Sequence, residues 1–368
     1  STGRALEDSS ALPQQVFVSG PASVCQMLDL WLKKTHGTSA MSSLSYTGTQ
    51  IKHEPRYLAK PEQLKAGLQK AMDKQMGRFP AISFTTEPLL HQEGSDCHFQ
   101  FVCNARKGQR PYMEDRFCAS LNVPGHDNCA IFGVFDGHGG SEVADFAAKA
   151  FPAVLGDCMS SCVDPAAALV AAFEEIDTEL LNSNQPHCGP HPYNLVGSTA
   201  VVVLVVREAG EVRLLCANCG DSRAVLCRNG GIVALSQDHK PTNMEEQARI
   251  ENAGGIVRRF GPCWRIDAGL NLSRALGDFA YKANSELARD AQKVISVPEV
   301  RSFNVEPGDE FFVIGSDGIF DVMSSESLVK HMRDAIRSDS SPEVAVQSAL
   351  AQAVGSGDNV TLCVVQLL

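Results

Sequence analysis

Hydrophobic positions recur with helical spacing in several segments of the chain. Leu169, Phe173, Ile176 and Leu180 are three or four residues apart, which predicts a helix over residues 166–182 with one apolar face. The same spacing predicts further helices over residues 24–33, 62–76, 142–155, 245–252, 325–336 and 343–353. Helices therefore occur both near the start of the chain and throughout its remainder.

Shorter apolar runs bounded by turn residues predict β-strands. Residues 130–135 form an unbroken apolar run, and residues 98–104 alternate in the manner of a half-buried strand. Further strands are predicted over residues 199–206, 212–217, 224–228, 294–296, 311–314 and 360–366. The first three of these are joined by short turns, which favours antiparallel pairing among them. We expect antiparallel sheets between helical layers, an α+β fold.

The first ~95 residues differ in their sequence pattern from the rest of the chain. Residues 37–50 are rich in Ser, Thr and Gly and are interpreted as a loop between the two N-terminal helices. We assign residues 1–95 to an N-terminal extension with short amphipathic helices, and residues 96–368 to the main domain. The extension either packs on that domain or docks a partner.

Composition narrows the functional classes. The hydrophobic content of 44% is ample for a packed core, and the formal charge of −11 argues against a nucleic-acid binder, which needs a basic face. The longest uncharged apolar stretch, residues 195–206, is too short to span a bilayer. The chain begins at Ser1 without a signal segment, although a leader removed before Ser1 stays an open alternative. We therefore expect a soluble monomer.

The thirteen cysteines are an odd number, and several lie inside apolar runs. Cys216 and Cys363 are in such runs, where a free cysteine behaves as a small hydrophobe. We therefore expect a reducing compartment, the cytoplasm or the nucleus. Cys216 and Cys219 have the gap of a zinc knuckle, but a second pair is missing and a strand would turn the two thiols to opposite sides.

Acidic residues follow strand-like segments at widely separated places. Carboxylate oxygens gathered at one rim suit a hard cation such as Mg²⁺ or Mn²⁺. Each motif alone is ambiguous, because Asp and Gly are common turn residues. The motifs are Glu114-Asp115, Asp136-Gly137-His138-Gly139-Gly140, Asp221, Asp317-Gly318 with Asp321, and Asp358-Asn359.

The Asp136 motif follows the apolar run at residues 130–135. Asp136 is placed to bridge two cations, and the Gly137 carbonyl offers a further oxygen ligand. His138 titrates near neutrality and could protonate a leaving alkoxide. The competing interpretation is an ordinary Asp-Gly turn.

The segment from Arg110 to Asp115 supplies a second group. Glu114 and Asp115 would face opposite ways on a strand, so we favour Glu114 as a metal ligand and Asp115 as the holder of a metal-bound water. Arg110 carries the planar fork that recognises phosphate oxygens. A solvated charge cluster is the competing interpretation.

Taken together and in order, these motifs resemble those of the metal-dependent Ser/Thr protein phosphatases of type 2C, from Cys97 to Leu368. Further matching motifs are Gly197-Ser-Thr-Ala200, Gly220-Asp-Ser-Arg223, Asp238-His-Lys-Pro241 and Leu272-Ser-Arg-Ala-Leu-Gly-Asp278. The resemblance implies a central β-sandwich of two antiparallel sheets flanked by α-helices, a four-layer αββα arrangement.

The resemblance also implies roles for individual residues. Asp136 would bridge two Mg²⁺ or Mn²⁺ ions, with Glu114, Asp317 and Asp358 as the remaining carboxylates. Asp221, with Asp317 and Asp321, would form a weaker third site. Asp278 and His239 would be structural, satisfied by hydrogen bonds.

The implied activity is hydrolysis of phosphoserine and phosphothreonine in proteins by a hydroxide bridging two divalent cations. Arg110 would stabilise the phosphate and His138 would protonate the leaving oxygen. A cysteine-dependent phosphatase is excluded, because no cysteine has an arginine six positions later. The alternative is a pseudophosphatase that retains the fold and binds partners; it would be marked by a lost carboxylate, and none is lost.

Overall fold

The structure of the protein is a computed structural model, which describes residues 17–19, 44–47, 50–53, 91–183, 193–338 and 341–368. The chain divides into two compact units, Ser1–Phe84 and Thr85–Leu368. The helices predicted over residues 24–33 and 62–76 lie outside the described residues.

The first unit contains a small antiparallel sheet. Its strands are β1 (Phe17–Ser19), β2 (Leu44–Thr47) and β3 (Gln50–His53), in the spatial order β1-β3-β2. The loop predicted over residues 37–50 is therefore wrong where β2 and the start of β3 fall. Leu44 and Tyr46 alternate with Ser45 and Thr47, so a strand pattern was present but was outweighed by the Ser/Thr/Gly composition.

The second unit contains two larger antiparallel sheets. The first has six strands: β4 (His91–Ser95), β5 (Phe99–Arg106), β12 (Arg223–Arg228), β13 (Gly231–Ala234), β18 (Asp309–Gly315) and β19 (Val360–Leu367). Their spatial order is β13-β12-β18-β19-β5-β4. The second has five strands: β6 (Arg116–Ser120), β7 (Cys129–Phe135), β10 (Ala200–Glu208), β11 (Glu211–Cys219) and β17 (Glu299–Asn304). Their order is β17-β11-β10-β7-β6.

Helices cover the outer faces of both sheets. Helices α1 (Glu142–Ser161) and α2 (Pro165–Asn182) pack on the five-stranded sheet, and α5 (Ser325–Arg337) and α6 (Pro342–Gln352) pack on the six-stranded one. The predicted four-layer α+β architecture is confirmed. The apolar stripe of α2 is buried as predicted, and Phe151 and Phe173 meet edge to face with ring centroids 5.0 Å apart.

The remaining helices are short. They are α3 (Met244–Asn252), α4 (Asp317–Phe320) and the 3₁₀ turns Phe279–Tyr281, Arg289–Ala291 and Ala353–Gly355. Within the described parts of the chain, no helix is long and apolar enough to cross a membrane.

The main core lies between the two sheets. Phe132 on β7 contacts Phe101 on β5 and Phe312 on β18, with ring centroids 5.3 and 5.8 Å away. The neighbouring residues of β5 and β18, Val102 and Val313, face the layer of α5 and α6 instead. The strand predicted as half-buried over residues 98–104 is therefore buried on both faces, because each sheet is covered on both sides.

Two strand predictions need correction. Strand β12 does not pair with β11; it lies in the other sheet, between β13 and β18. Residues 294–296 do not form a strand: Ile295 makes an isolated bridge with Arg274, and the strand in this region is β17. Pro298, which cannot donate to a ladder, separates the two segments.

The prediction of a free thiol at Cys363 is also wrong. Cys103 on β5 and Cys363 on β19 are directly opposite each other, with Cα atoms 4.0 Å apart, and form a disulfide. The partners are 260 residues apart in sequence, so only the strand register reveals the pair.

Two further small sheets complete the unit. One is a hairpin of β14 (Val257–Phe260) and β15 (Cys263–Ile266). The other joins three two-residue strands, β8 (Gly137–His138), β9 (Gly197–Ser198) and β16 (Leu276–Gly277), in the order β16-β9-β8.

Candidate metal centre and catalytic site

Strand register brings the acidic motifs to one end of the sandwich. In the five-stranded sheet, the end of β7 is aligned with the start of β6 and of β10, and the start of β10 with the end of β11. In the six-stranded sheet, the start of β12, the end of β18 and the start of β19 are aligned. The motifs at these ends, distant in sequence, therefore share one rim.

The carboxylates on this rim affect one another's ionisation. Burial raises the pKa of Asp136 well above its ordinary value, and the charges of Asp115, Asp317, Asp221 and Asp358 raise it further. Like charges gathered in this way favour protonation unless cations neutralise them. Asp136 and these four acids are therefore close enough for their charges to interact.

Asp136 is held by its backbone at the end of β7. Its N–H donates to Thr199 Oγ1 at 3.1 Å, and its carbonyl accepts from the Thr199 N–H at 2.9 Å. Thr199 Oγ1 also lies 2.7 Å from Ser222 Oγ, in the turn that carries Asp221. These bonds fix the backbone of Asp136 at the rim.

Asp115 is the most buried acid of the group, with 1% of its surface exposed. Its Oδ2 accepts from Thr361 Oγ1 at 2.7 Å, whereas Oδ1 meets no hydrogen-bond donor among the described residues. Burial raises its pKa to about 6. A buried carboxylate oxygen without a partner fits the predicted task of holding a metal-bound water.

Asn359 is a positioning residue whose role the sequence analysis missed. Its Oδ1 accepts from the Glu114 N–H at 2.7 Å, and its Nδ2 donates to the carbonyls of Lys107 and Tyr112. This side chain therefore fixes the loop of Glu114 against the turn of Asp358. Gly137 assists, since a Cβ there would lie 2.5 Å from the Glu114 carbonyl oxygen.

Arg110 lies at the rim, bound to one of the predicted ligands. Its Nη2 donates to Asp358 Oδ2 at 2.7 Å, and half of its side chain (51%) is exposed. This hydrogen bond raises the pKa of Arg110 despite partial burial. The guanidinium is therefore reachable from solvent beside the acids.

Asp221, Asp317 and Asp321 form the other side of the group. Burial raises the pKa of Asp317 to about 7, and the charges of Asp221 and Asp321 add to the effect. The Asp321 N–H donates to the Asp317 carbonyl across the single turn of α4. Asp221 forms an ion pair with Lys240, a partner for which no local sequence signal existed.

His138 faces a carboxylate that the sequence analysis treated as structural. His138 Nε2 lies 2.6 Å from Oδ2 of Asp278, which is fully buried. Burial lowers the pKa of His138, but the attraction of Asp278 outweighs it, so the pKa is raised. Asp278 does satisfy a hydrogen bond, as predicted, and its partner is the predicted proton donor.

The donor set fits divalent cations. The oxygens are carboxylates, they repel one another in a poorly solvated site, and no thiolate is among them. In residues 91–183, 193–338 and 341–368, no three His, Cys, Asp or Glu side chains already surround a common point. Arg110 and Lys240 are instead the cations that neutralise Asp358 and Asp221 in this structure.

Comparison with known proteins identifies the family of this chain. The family model described as protein phosphatase 2C matches residues 99–360. Protein phosphatase 2C homolog 2 of Schizosaccharomyces pombe is 36% identical over 299 residues, which cover 77% of this chain and 78% of that protein. Probable protein phosphatase 2C 71 of Arabidopsis thaliana is 36% identical over 281 residues, covering 76% of this chain and 57% of the relative. The crystal structure of a phosphatase from a pathogenic strain of Toxoplasma gondii matches with a TM-score of 0.66 at 27% identity, covering 75% of this chain and 94% of that one.

Proposed function

We infer, because this chain belongs to the protein phosphatase 2C family, that its acidic rim hydrolyses phosphoserine and phosphothreonine in proteins with two divalent cations, Mg²⁺ or Mn²⁺. Serine/threonine protein phosphatase activity follows from the family, and the assignment of individual residues is our proposal. The observation that supports it best is the group of mutually repelling carboxylates around Asp136, with Arg110 and His138 beside it.

Glu114, Asp136, Asp317 and Asp358, with the Gly137 carbonyl, would hold the two cations. When bound, the cations would supply a water of lowered pKa as the nucleophile and neutralise charge on the phosphoryl group. Asp115 would orient a water from the buried side. Asp221, with Asp317 and Asp321, would provide a weaker third position, for which Lys240 competes by its ion pair with Asp221.

Arg110 would bind the phosphate. Its exposed guanidinium sits next to Asp358, where its remaining N–H groups can donate to phosphate oxygens. His138, with 26% of its side chain exposed, would donate a proton to the serine or threonine oxygen as the ester bond breaks.

The metal dependence is tested with the full chain, stripped of metal and assayed on a phosphoserine peptide. We expect inorganic phosphate to be released with Mn²⁺ or Mg²⁺ and release to stop with excess EDTA. Release that persists in EDTA would contradict the proposed metal centre. A complete lack of release with Mn²⁺ would instead favour the pseudophosphatase alternative, a binding module with the same fold.

His138→Ala should discriminate between leaving groups. A serine alkoxide needs a proton to depart, so we expect kcat on a phosphoserine peptide to fall by about 100-fold. Departure of p-nitrophenolate needs little protonation, so the loss on p-nitrophenyl phosphate should stay below about tenfold. The matched control is His98→Ala, because His98 is an exposed histidine directly before β5. Equal losses on both substrates would contradict the role of His138 as acid.

A further inference from the structure

The three-stranded sheet of β8, β9 and β16 brings three distant segments into one row. His138 on β8 is aligned with Gly197 on β9, and Gly197 is aligned with Gly277 on β16. Asp278 follows immediately after β16. The side chains of His138 and Asp278, 140 residues apart, therefore meet across Gly197.

Gly197 is required for this meeting. A Cβ at this position would lie 2.1 Å from Asp278 Oδ2 and 2.6 Å from His138 Nε2. Both distances are far below van der Waals contact, so any side chain would separate the two groups. The absence of a side chain at residue 197 creates the space in which the hydrogen bond forms.

The backbone holds Asp278 in an unusual conformation. Its φ is +52°, and that of the preceding Gly277 is +75°. The Asp278 N–H donates to the Val196 carbonyl at 3.0 Å, and the Tyr281 N–H donates to the Asp278 carbonyl at 2.9 Å. A left-handed conformation at a residue other than glycine persists only where its surroundings enforce it, and such residues concentrate at functional sites.

A second carboxylate, Asp177 on α2, supports this segment from behind. Its Oδ1 accepts from the Gly277 N–H at 2.8 Å and from Lys282 Nζ at 2.8 Å. Asp177 therefore holds Gly277 and Lys282 in place, and Asp278 Oδ2 faces His138. Asp278 Oδ1 has no hydrogen-bond partner in the part of the chain that the structure describes.

We propose that Asp278 is the positioning residue of the proton donor, an inference that rests on the proposed function. Asp278 Oδ2 accepts the Nε2–H of His138 and fixes the imidazole ring, so Nδ1 is the nitrogen that carries the transferable proton. When the phosphate ester breaks, the proton on Nδ1 passes to the departing serine or threonine oxygen. The electron pair of the N–H bond stays on the ring, which becomes a neutral imidazole that retains its Nε2–H.

A carboxylate can only accept from His138 Nε2, so it fixes which ring nitrogen carries the hydrogen that faces it. An amide of the same shape can also donate to Nε2, so it no longer fixes that choice. Substitution of Asp278 should therefore slow the reaction more for a basic leaving group than for a weakly basic one. Substitution of a residue that is needed only for folding would lower both rates alike.

The test compares Asp278→Asn with wild type on a phosphoserine peptide and on p-nitrophenyl phosphate, in Mn²⁺. We expect kcat to fall by at least about tenfold on the peptide and by less than about threefold on the aryl ester, by analogy with the cost of losing a partner of a functional histidine. In the His138→Ala background, Asp278→Asn should add nothing. Equal losses on the two substrates, or fully multiplicative losses in the double variant, would overturn the proposal.

A second pair of variants covers the case in which Asp278→Asn folds poorly. Gly197→Ala retains both charged groups and inserts a methyl group between them, so it should shift the ratio of the two rates in the same direction. Ser198→Ala on the same strand is its control, since the Ser198 hydroxyl bonds to the adjacent Thr199 carbonyl, away from the pair. An unchanged ratio in folded Gly197→Ala would contradict the proposal.

Imidazole ¹⁵N spectra of the metal-free protein provide a readout that is independent of turnover. We expect a protected Nε2–H signal from His138 that disappears or shifts strongly in Asp278→Asn. A His138 ring protonated only at Nδ1 in wild type would overturn the proposal even if the protein hydrolyses both substrates. Failure of the proposed function would show itself differently, as wild-type protein that is inactive with Mn²⁺ while the Nε2–H signal is present.

Discussion

Asp136→Asn should lower kcat on a phosphoserine peptide by about 10³-fold or more and should make the metal-free protein more stable at neutral pH. The loss of activity follows from the central place of Asp136 among the proposed ligands. Loss of a mere hydrogen-bonding partner of a metal ligand already costs about 10- to 100-fold, and a shared ligand should cost more. The measurement is phosphate release at saturating Mn²⁺.

The gain in stability follows from the raised pKa of Asp136. Burial, then the charges of Asp115 and Asp317, disfavours its ionised form in the folded state. A raised folded pKa means that the folded state binds more protons than the unfolded state, so stability falls as the pH rises above the ordinary pKa of 3.8. The amide cannot ionise, so the advantage of the variant in EDTA should be largest near neutrality and vanish below about pH 4.

Added metal should make wild type more stable than Asp136→Asn. Mn²⁺ stabilises a folded state that binds it, so thermal unfolding of wild type should shift upwards more than that of Asp136→Asn. Asp157→Asn, at an exposed position on α1, is the matched control and should change neither activity nor the response to metal. An Asp136→Asn protein that is active, or that unfolds more readily than wild type in EDTA, would contradict the assignment.

Glu246→Gln should lower the free energy of unfolding by about 3 kcal/mol at pH 7, at about 1.4 kcal/mol per unit of pKa shift. Glu246 lies on α3, with 4% of its surface exposed. Arg249 Nη2 donates to its Oε2 at 2.6 Å, and Arg274 Nη2 donates to its Oε1 at 2.7 Å. Breaking a buried ion pair leaves the remaining charges without compensation, which is among the costliest substitutions.

The effect of Glu246 should depend on pH in a defined direction. Burial alone would raise its pKa, but the hydrogen bond from Arg274 and the charges of Arg249 and Arg274 lower it from 4.5 to about 2. A lowered folded pKa contributes stability that is complete above about pH 4.5 and is lost as the pH falls towards 2. Urea unfolding between pH 7 and pH 3 should therefore show the two proteins converging.

The control for this prediction lies on the same helix. Glu251 accepts a hydrogen bond from Gln247 at the surface, so Glu251→Gln should change the free energy of unfolding by less than about 0.5 kcal/mol. A difference between wild type and Glu246→Gln that is constant from pH 7 to pH 3 would show that Glu246 acts by packing and not by charge. Arg274 precedes Asp278 by only four residues. Glu246→Gln therefore also tests whether the ion pair of Glu246 with Arg274 supports the conformation of Asp278.

Helices and buried strands were largely predictable, because their signals are local. The stripe of Leu169, Phe173, Ile176 and Leu180 predicts α2, and the structure buries all four side chains. The strand predicted over residues 294–296 was wrong for the same reason. The β-branched pair Val294-Ile295 resembles a strand, but the two side chains are buried without forming a ladder. Short apolar runs do not distinguish these cases.

Pairing between elements was less predictable. The short turn between β11 and β12 suggested a hairpin, yet the chain crosses there from one sheet to the other. The disulfide of Cys103 and Cys363 depends on the register between β5 and β19. A shift of one residue in that register would turn one of the two cysteines to the opposite face. Neither the crossing between the sheets nor the disulfide could therefore be derived from sequence spacing.

The periodicity of apolar residues and the acidic residues after strands are properties of short segments, so the sequence predicted the layers of the fold and pointed to an acidic site. The pairs that meet in space are visible only in the folded domain: Asp278 with His138, Lys240 with Asp221, and Asn359 with the loop of Glu114. Asp278 and His138 are more than a hundred positions apart, and so are Asn359 and Glu114. Contacts over such distances depend on strand register and on the backbone conformation at single residues such as Gly197 and Asp278. Each of these is fixed by packing of the whole domain.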